Sequence, residues 1–246
     1  MNLYVITPVL NEAENLENLL NGWIEIENHL ENYTCKFILV DDGSSDGTEE
    51  KAMRLRGKLD LKVLRHDINK GPGFAFGTGF EYLADKLNKR DIVVTMEGDN
   101  TSRIETLKIM VGRMEREEVD VALASPYAYN GGIQNTSFIR MLLSHFGNGL
   151  TKVALNVRGI HTLSSFFRAH RGHVILDLQA KYGNRIVEFP GFESMLELIK
   201  KLTLQKISIT EVPMNLDTSL RKGKSKMKIM KTIRGYFKVY LIARKY

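Results

Sequence analysis

Cysteine is nearly absent: Cys35 is the single one in 246 residues. An internal disulfide is thereby excluded, and a reducing compartment is the expected setting. Long apolar runs are missing too, since none approaches the roughly 20 residues that a membrane-crossing helix needs. The opening Met1-Asn-Leu-Tyr-Val-Ile-Thr7 is too short and uncharged for a signal peptide and reads as a first strand. The histidines are scattered without metal-ligand spacing, so no zinc site is expected. Internal repeats and low-complexity blocks are absent as well. Acid is missing from the C-terminal region as well. Residues 221–246 hold ten Lys or Arg and no Asp or Glu, which leaves 25 basic and 29 acidic residues in 1–220, a net of −4. The overall charge of +6 therefore belongs to the tail and not to the fold. Such a tail suits anionic lipid, nucleic acid or a phosphorylated substrate.

What is present fits one large α/β domain or two small ones. Strand-like runs at Leu3–Thr7, Phe37–Asp41, Leu61–Arg65, Asp91–Met96 and Val119–Ala124 alternate with helical patterns near 12–27, 47–57, 73–88 and 104–117. That alternation predicts βαβ units and a mainly parallel sheet flanked by helices. Asn11 with Glu14, and Asp46 with Glu49, have capping-box spacing. Beyond Ala124 the pattern loosens: a loop over 125–132, a helix over 137–153, a strand over 163–170, a helix over 191–202 and a strand over 204–212. The expected organisation is one domain over 1–220 followed by a basic amphipathic tail over 221–246.

The most informative stretch is Phe37-Ile-Leu-Val-Asp-Asp-Gly-Ser-Ser-Asp-Gly-Thr48. A buried strand ends there in two carboxylates, Asp41 and Asp42, at the sheet edge where open α/β folds bind ligands. Carboxylates so placed suit ribose or sugar hydroxyls, a base edge or a metal ion. The fourth strand repeats the pattern in Val93-Val-Thr-Met-Glu-Gly-Asp99. Glu97 and Asp99 are two apart, so on extended chain they share a face, and two carboxylates can hold a cation that bridges phosphates. A solvated strand end with unrelated acids is the plain alternative.

Five ordered motifs decide between them: Thr7-Pro-Val-Leu-Asn-Glu12, Val40-Asp-Asp-Gly-Ser-Ser-Asp-Gly-Thr48, Asn69-Lys-Gly71, Met96-Glu-Gly-Asp99 and Ser164-Ser-Phe-Phe-Arg-Ala-His-Arg171. A sixth is Arg221-Lys-Gly-Lys-Ser-Lys226. In order and spacing the chain resembles family 2 glycosyltransferases of the GT-A fold, and within them the dolichyl- and polyprenyl-phosphate sugar synthases. The resemblance implies a single nucleotide-diphospho-sugar transferase domain. It implies a nucleotide site formed by Pro8, Asn11, Glu12, Asp41, Lys70, Gly71 and Gly98, with Asp41 on the base or ribose. It implies Mg²⁺ or Mn²⁺ on Glu97 and Asp99, where Glu replaces the family's first Asp, and Asp99 in catalysis through that metal. It implies acceptor or diphosphate binding by Arg140 and Arg221, with Ser144 one helical turn from Arg140.

Two stretches depart from the family pattern. Ala124-Ser-Pro-Tyr127 lacks a basic residue, and Ile160-His-Thr162 stands where the family has an acidic one. Glu193 at a helix start is the candidate base for a hydroxyl acceptor, or a carboxylate favoured by the helix dipole. The run Gly71-Pro-Gly-Phe-Ala-Phe-Gly-Thr-Gly79 with Tyr82 and Lys86 imitates a dehydrogenase fingerprint, but its glycines follow the third strand and not the first. Close packing explains it better.

The expected activity is metal-dependent, inverting transfer of a hexose from a nucleotide sugar, of GDP-mannose or UDP-glucose type, to a polyprenyl phosphate. A hydroxyl acceptor and a non-catalytic nucleotide- or membrane-binding relative are the alternatives. The tail stripe Met227, Met230, Ile233, Phe237, Tyr240 and Leu241 opposes a basic face. It predicts contact of residues 222–246 with an anionic membrane surface, with no nucleic acid partner, and a cytoplasmic setting peripheral to the membrane.

Overall fold

A computed structural model describes residues 1–136, 148–149, 151–153, 157, 159–220, 235–236 and 238–240. The strands are β1 (Asn2–Val9), β2 (Thr34–Asp41), β3 (Leu61–Arg65), β4 (Ile92–Thr95), β5 (Val121–Ser125), β6 (Gly132–Gln134), β7 (Arg168–Arg171), β8 (Ile209–Pro213) and β9 (Asn215–Asp217). The helices are α1 (Leu16–His29), α2 (Thr48–Leu55), α3 (Pro72–Leu83), α4 (Ile104–Glu117), α5 (Gly172–Tyr182) and α6 (Ser194–Leu204).

Seven strands form one sheet in the order β3-β2-β1-β4-β7-β5-β8. All neighbours are parallel except β7, which runs antiparallel to β4 and β5. The strands read as continuous apolar runs because both faces are covered, and successive side chains serve opposite cores. Leu3, Val5, Phe37, Leu39, Ile92 and Val94 join one core with α1 and α4. Tyr4, Ile6, Ile38, Val40 and Val93 join the other with α3, α5 and α6. Trp23 of α1 stacks on Phe37 with ring centroids 5.0 Å apart. The chain leaves β1 toward β2 and β3, then returns to place β4 on the other side of β1. The switch point where α/β sheets bind ligands thus lies between β1 and β4.

Several elements differ from the sequence expectation. The capping boxes do not form: α1 starts at Leu16 with N-cap Asn15, and α2 starts behind Gly47 at φ 84°. Asn11 links the two loops through its side chain, and Asp46 divides its carboxylate between Ala13 N and Thr48, the first residue of α2. The apolar run from Leu163 is buried, yet only Arg168–Arg171 pairs as a strand, because the preceding carbonyls of Leu163 and Ser165 accept from the Arg168 side chain. The strand expected from 204 begins at Ile209, after Lys206 turns the chain at φ 56°. Helix α5 was not expected. Its Gly172 reads as a breaker, but the position needs glycine because a Cβ would collide with the Asn88 carbonyl. Most of the helix expected over 137–153 lies outside the described residues.

Candidate functional site

The loops that follow β1 and β2 are stitched together by exchanged side chains. Asn11 N donates to Ser44 Oγ at 2.8 Å, and Ser45 N returns the bond to Asn11 Oδ1 at 2.8 Å. Glu12 N donates to Thr48 Oγ1 at 2.9 Å and Ala13 N to Asp46 Oδ2 at 3.0 Å. Burial pushes the Asp46 carboxyl up, but bonds from Thr48 and from backbone N–H groups outweigh it and hold the group below the usual carboxylate range. Asn11 takes φ 50°, a left-handed conformation that Asn tolerates better than most residues. The Glu12 carboxylate accepts from the Asn15 side-chain amide.

Asp41 and Asp42 end β2 as expected, and the structure separates their tasks. Asp41 is fully buried; Oδ1 accepts from Ser44 N at 2.9 Å, and Oδ2 lies 3.5 Å from Arg65 Nη1. Arg65, its register partner on β3, also pairs with Glu49. Asp42 accepts from Lys70 N at 2.8 Å and Gly71 N at 2.7 Å, and its Oδ1 lies 2.7 Å from His66 Nδ1. A carboxylate only accepts, so Nδ1 carries the proton, and Nε2 faces Thr78 Oγ1 at 2.8 Å. Asp42 therefore fixes the turn that carries Lys70 and Gly71. Gly71 has φ 97° and its Cα abuts the Pro190 carbonyl, which in turn accepts from Gly73 N at 2.8 Å. Gly79 packs on Ile6. The glycine run is thus a packing surface, as expected. Sequence reasoning missed His66 and Arg65; a strand-end cation beside two acids was the available signal.

Glu97 and Asp99 follow β4 on the far side of the switch point. Thr101 Oγ1 lies 2.6 Å from Asp99 Oδ1 and 3.3 Å from Glu97 Oε2, so the two carboxylates converge on one hydroxyl. Asp99 is buried and Glu97 half-buried. Between them, Gly98 packs its Cα against Val9 and the Pro8 carbonyl, bringing β4's end onto β1's. Among the described residues no group of three or more Asp, Glu, His or Cys could enclose a metal ion. The pair suits a hard cation that takes its remaining ligands from water and phosphate oxygens.

A second wall comes from the chain after β7. The Phe189–Gly191 turn meets α3 at Gly71 and Gly73, and Glu193 opens α6, buried. Behind it, Arg168 is fully buried and donates to the carbonyls of Ser165, Met195 and Leu163 at 2.7, 3.2 and 2.7 Å. Burial pushes its pKa down to about 9, which leaves it a cation at neutral pH. Arg168 was legible only as part of a motif; its duty to carbonyls is set by tertiary packing. The two stretches that depart from the family pattern meet each other: Ser125 Oγ and Thr162 Oγ1 are 2.5 Å apart. Glu211 accepts from His161 N and Thr162 N at 2.6 and 2.7 Å. Arg140, Ser144 and Arg221 lie outside the described residues. Of the tail, Gly235 and Val239 are buried and Lys238 is exposed, with Tyr236 and Tyr240 between. The buried face runs through Gly235 and Val239, which the expected stripe did not include.

A doubly covered α/β sheet with acidic strand ends around its switch point defines a nucleotide-binding enzyme fold. The chain belongs to glycosyl transferase family 2, whose model matches residues 4–174. It is 32% identical over 239 residues to the dolichol-phosphate mannosyltransferase of Pyrococcus furiosus, covering 97% of this chain and 62% of that protein. It is 25% identical over 179 residues to the dodecaprenyl-phosphate galacturonate synthase of Rhizobium johnstonii, covering 71% of this chain and 49% of that one. The chain thus spans about half to two thirds of the length of these relatives. In structure it is similar to glucosyl-3-phosphoglycerate synthase from Mycobacterium tuberculosis, solved with Mg²⁺ and UDP, at TM-score 0.65 and 17% identity, covering 99% of this chain and 79% of that one. The fold is therefore that of the GT-A glycosyltransferases. Among the described residues no helix is long and apolar enough to cross a membrane.

Proposed function

We propose that the protein transfers a hexose from a nucleotide sugar to a polyprenyl phosphate with inversion at the anomeric carbon. The observation that carries this reading is the convergence of Glu97 and Asp99 on Thr101 at the switch point, opposite the stitched loops of β1 and β2. The names of the two curated relatives support a lipid-phosphate acceptor. In this reading Pro8, Asn11, Glu12, Lys70, Gly71 and Gly98 line the nucleotide pocket, and Asp41 receives the base or ribose. Both Asp41 oxygens are engaged, but each keeps a second lone pair, so a ligand reaches it once the half-exposed Arg65 swings aside. Glu97 and Asp99 would hold Mg²⁺ or Mn²⁺, which when bound neutralises the charge of the leaving diphosphate. Asp42 keeps the Lys70–Gly71 amides in place. Arg140, Ser144 and Arg221 are the candidates for acceptor phosphate, and the basic tail for an anionic membrane surface. A phosphate acceptor is ionised above its second pKa of about 6 and needs no strong base.

A second reading, a hydroxyl acceptor with Glu193 as base, is supported by one observation. That carboxylate is buried and has no ion-pair partner among the described residues. The discriminating experiment offers GDP-mannose and UDP-glucose with polyprenyl phosphate, or with saccharide acceptors, in Mg²⁺, Mn²⁺ or chelator. Metal-dependent glycolipid formation that falls about 100-fold or more in Asp99→Ala supports the first reading. Product on hydroxyl acceptors alone supports the second. Nucleotide binding with neither transfer nor donor hydrolysis overturns both and identifies a non-catalytic relative.

A further inference from the structure

The Glu193 carboxylate lies in a slot with glycine on two sides. Gly191, two residues earlier, contributes its N–H at 3.3 Å from Oε1, and a Cβ there would collide with Oε2. Gly235 closes the other side: a Cβ on it would lie 2.5 Å from Glu193 Cδ and 2.7 Å from Oε2. Real side-chain carbons never approach so closely, so each wall fits only because it ends at Cα. Gly235 belongs to the C-terminal segment, which is seated by two further residues. Tyr236 packs against the core formed with α3, α5 and α6, and its hydroxyl hydrogen-bonds Ser164. Val239 is buried in the core formed with α3, α5 and α6. The slot adjoins the Phe189–Gly191 turn, which meets the Gly71 turn after β3. A carboxylate buried without a cation among the described residues is costly, and such groups cluster at functional sites.

We propose that Gly235 and Tyr236 are positioning residues: the C-terminal segment is a wall of the acceptor side that holds the Glu193 carboxylate in place. This rests on the second reading above, in which Glu193 is the base for a hydroxyl acceptor. The segment's role is then mechanical as well as electrostatic. Its docking residues set the geometry, while Lys238 is exposed.

The clash at Gly235 is with the far end of a flexible side chain, so Gly235→Ala displaces the carboxylate while sparing the backbone. Gly191→Ala crowds the same carboxylate, and Gly22→Ala, whose Cβ meets nothing within 4 Å, is the control. Transfer by Gly235→Ala and Gly191→Ala should fall about tenfold or more, through kcat or the acceptor KM. Donor-nucleotide affinity and Tm should stay near wild type. In a Glu193→Ala background the same change at Gly235 should cost nothing further, and Tyr236→Phe should give a smaller loss of the same kind. Unchanged transfer in Gly235→Ala, or an equal loss with and without Glu193, overturns the proposal. A readout independent of activity separates it from the functional reading. In carboxyl-¹³C-glutamate protein, the resonance lost in Glu193→Gln should shift in Gly235→Ala and stay fixed in Gly22→Ala. If wild type transfers nothing while that shift occurs, the acceptor reading fails and the slot stands. If the resonance does not move, the slot fails.

Discussion

His170 illustrates what one buried residue imposes on the whole chain. It lies on β7, fully buried; burial first and the neighbouring Arg168 charge second push its pKa down to about 3. The folded value is depressed below the unfolded 6.5, so the unfolded chain binds the extra proton. The contribution is complete above about pH 6.5 and is lost as pH falls toward 3. Between pH 7 and pH 5 this group alone should remove about 2 kcal/mol of stability. Urea unfolding at the two pH values measures it, and His170→Leu should flatten the difference. Asp42 makes a second residue-scale prediction. Its carboxylate holds two backbone amides and a histidine, so Asp42→Ala should cost roughly 2–4 kcal/mol and weaken nucleotide binding, while Asp42→Asn, which keeps one acceptor, should cost less. The acids themselves were legible, because an apolar run that stops at a carboxylate is a local pattern. Their division of labour was not. The partners of Asp42 are N–H groups on the turn after β3, and no residue type there announces them.

Elements were legible where both cores impose a period on the sequence. The five leading strands and four helices fall close to their expected places because each strand alternates between two apolar faces and each helix carries a stripe. Element ends were less legible, since Asn11 matched a capping pattern while a tertiary bond claimed its side chain, and Asp46 shares its carboxylate between Ala13 N and Thr48 N. This competition is testable. Asn11→Ala loses the bond to Ser45 N and places a Cβ-bearing residue without polar compensation at φ 50°. A loss of roughly 1–3 kcal/mol in denaturant unfolding is expected. Asn11→Gly, which relieves the backbone but lacks the amide, should fall between. Equal stability of all three would mean that the β1 and β2 loops do not depend on this link. In the second half of the chain β7 runs against its neighbours, β6 and β9 are only three residues each, and Leu163–Phe167 is largely buried yet lies outside any strand. Period alone cannot separate a buried loop from a buried strand there.

At the scale of the molecule, the charge asymmetry is the feature that structure recasts. Residues 1–220 carry −4 and the last 26 carry +10, so in isolation the two would attract. The described tail residues show contact made through Gly235, Tyr236 and Val239, with Lys238 left exposed. Docking through these residues leaves Lys238 exposed, so it is compatible with the proposed contact with an anionic surface. Deleting residues 222–246 would remove the docking residues and the proposed membrane contact at once and could not tell them apart. Neutralising Lys222, Lys224, Lys226 and Lys228 to Gln leaves the docking residues in place. Each basic residue near an anionic surface contributes about 1 kcal/mol, so the fourfold variant should lose on the order of 100-fold or more in vesicle affinity. Binding should depend steeply on salt in the wild type, because the interaction is screened within about 10 Å at 0.1 M. Flotation with phosphatidylserine-containing and neutral vesicles measures this, with transfer to a short, soluble polyprenyl phosphate followed in parallel. Lost vesicle binding with retained transfer places the lysines at the membrane. Retained vesicle binding at low salt sinks the membrane role of the tail. Lost transfer to the soluble acceptor, with vesicle binding intact, would move those lysines from the membrane to the acceptor phosphate.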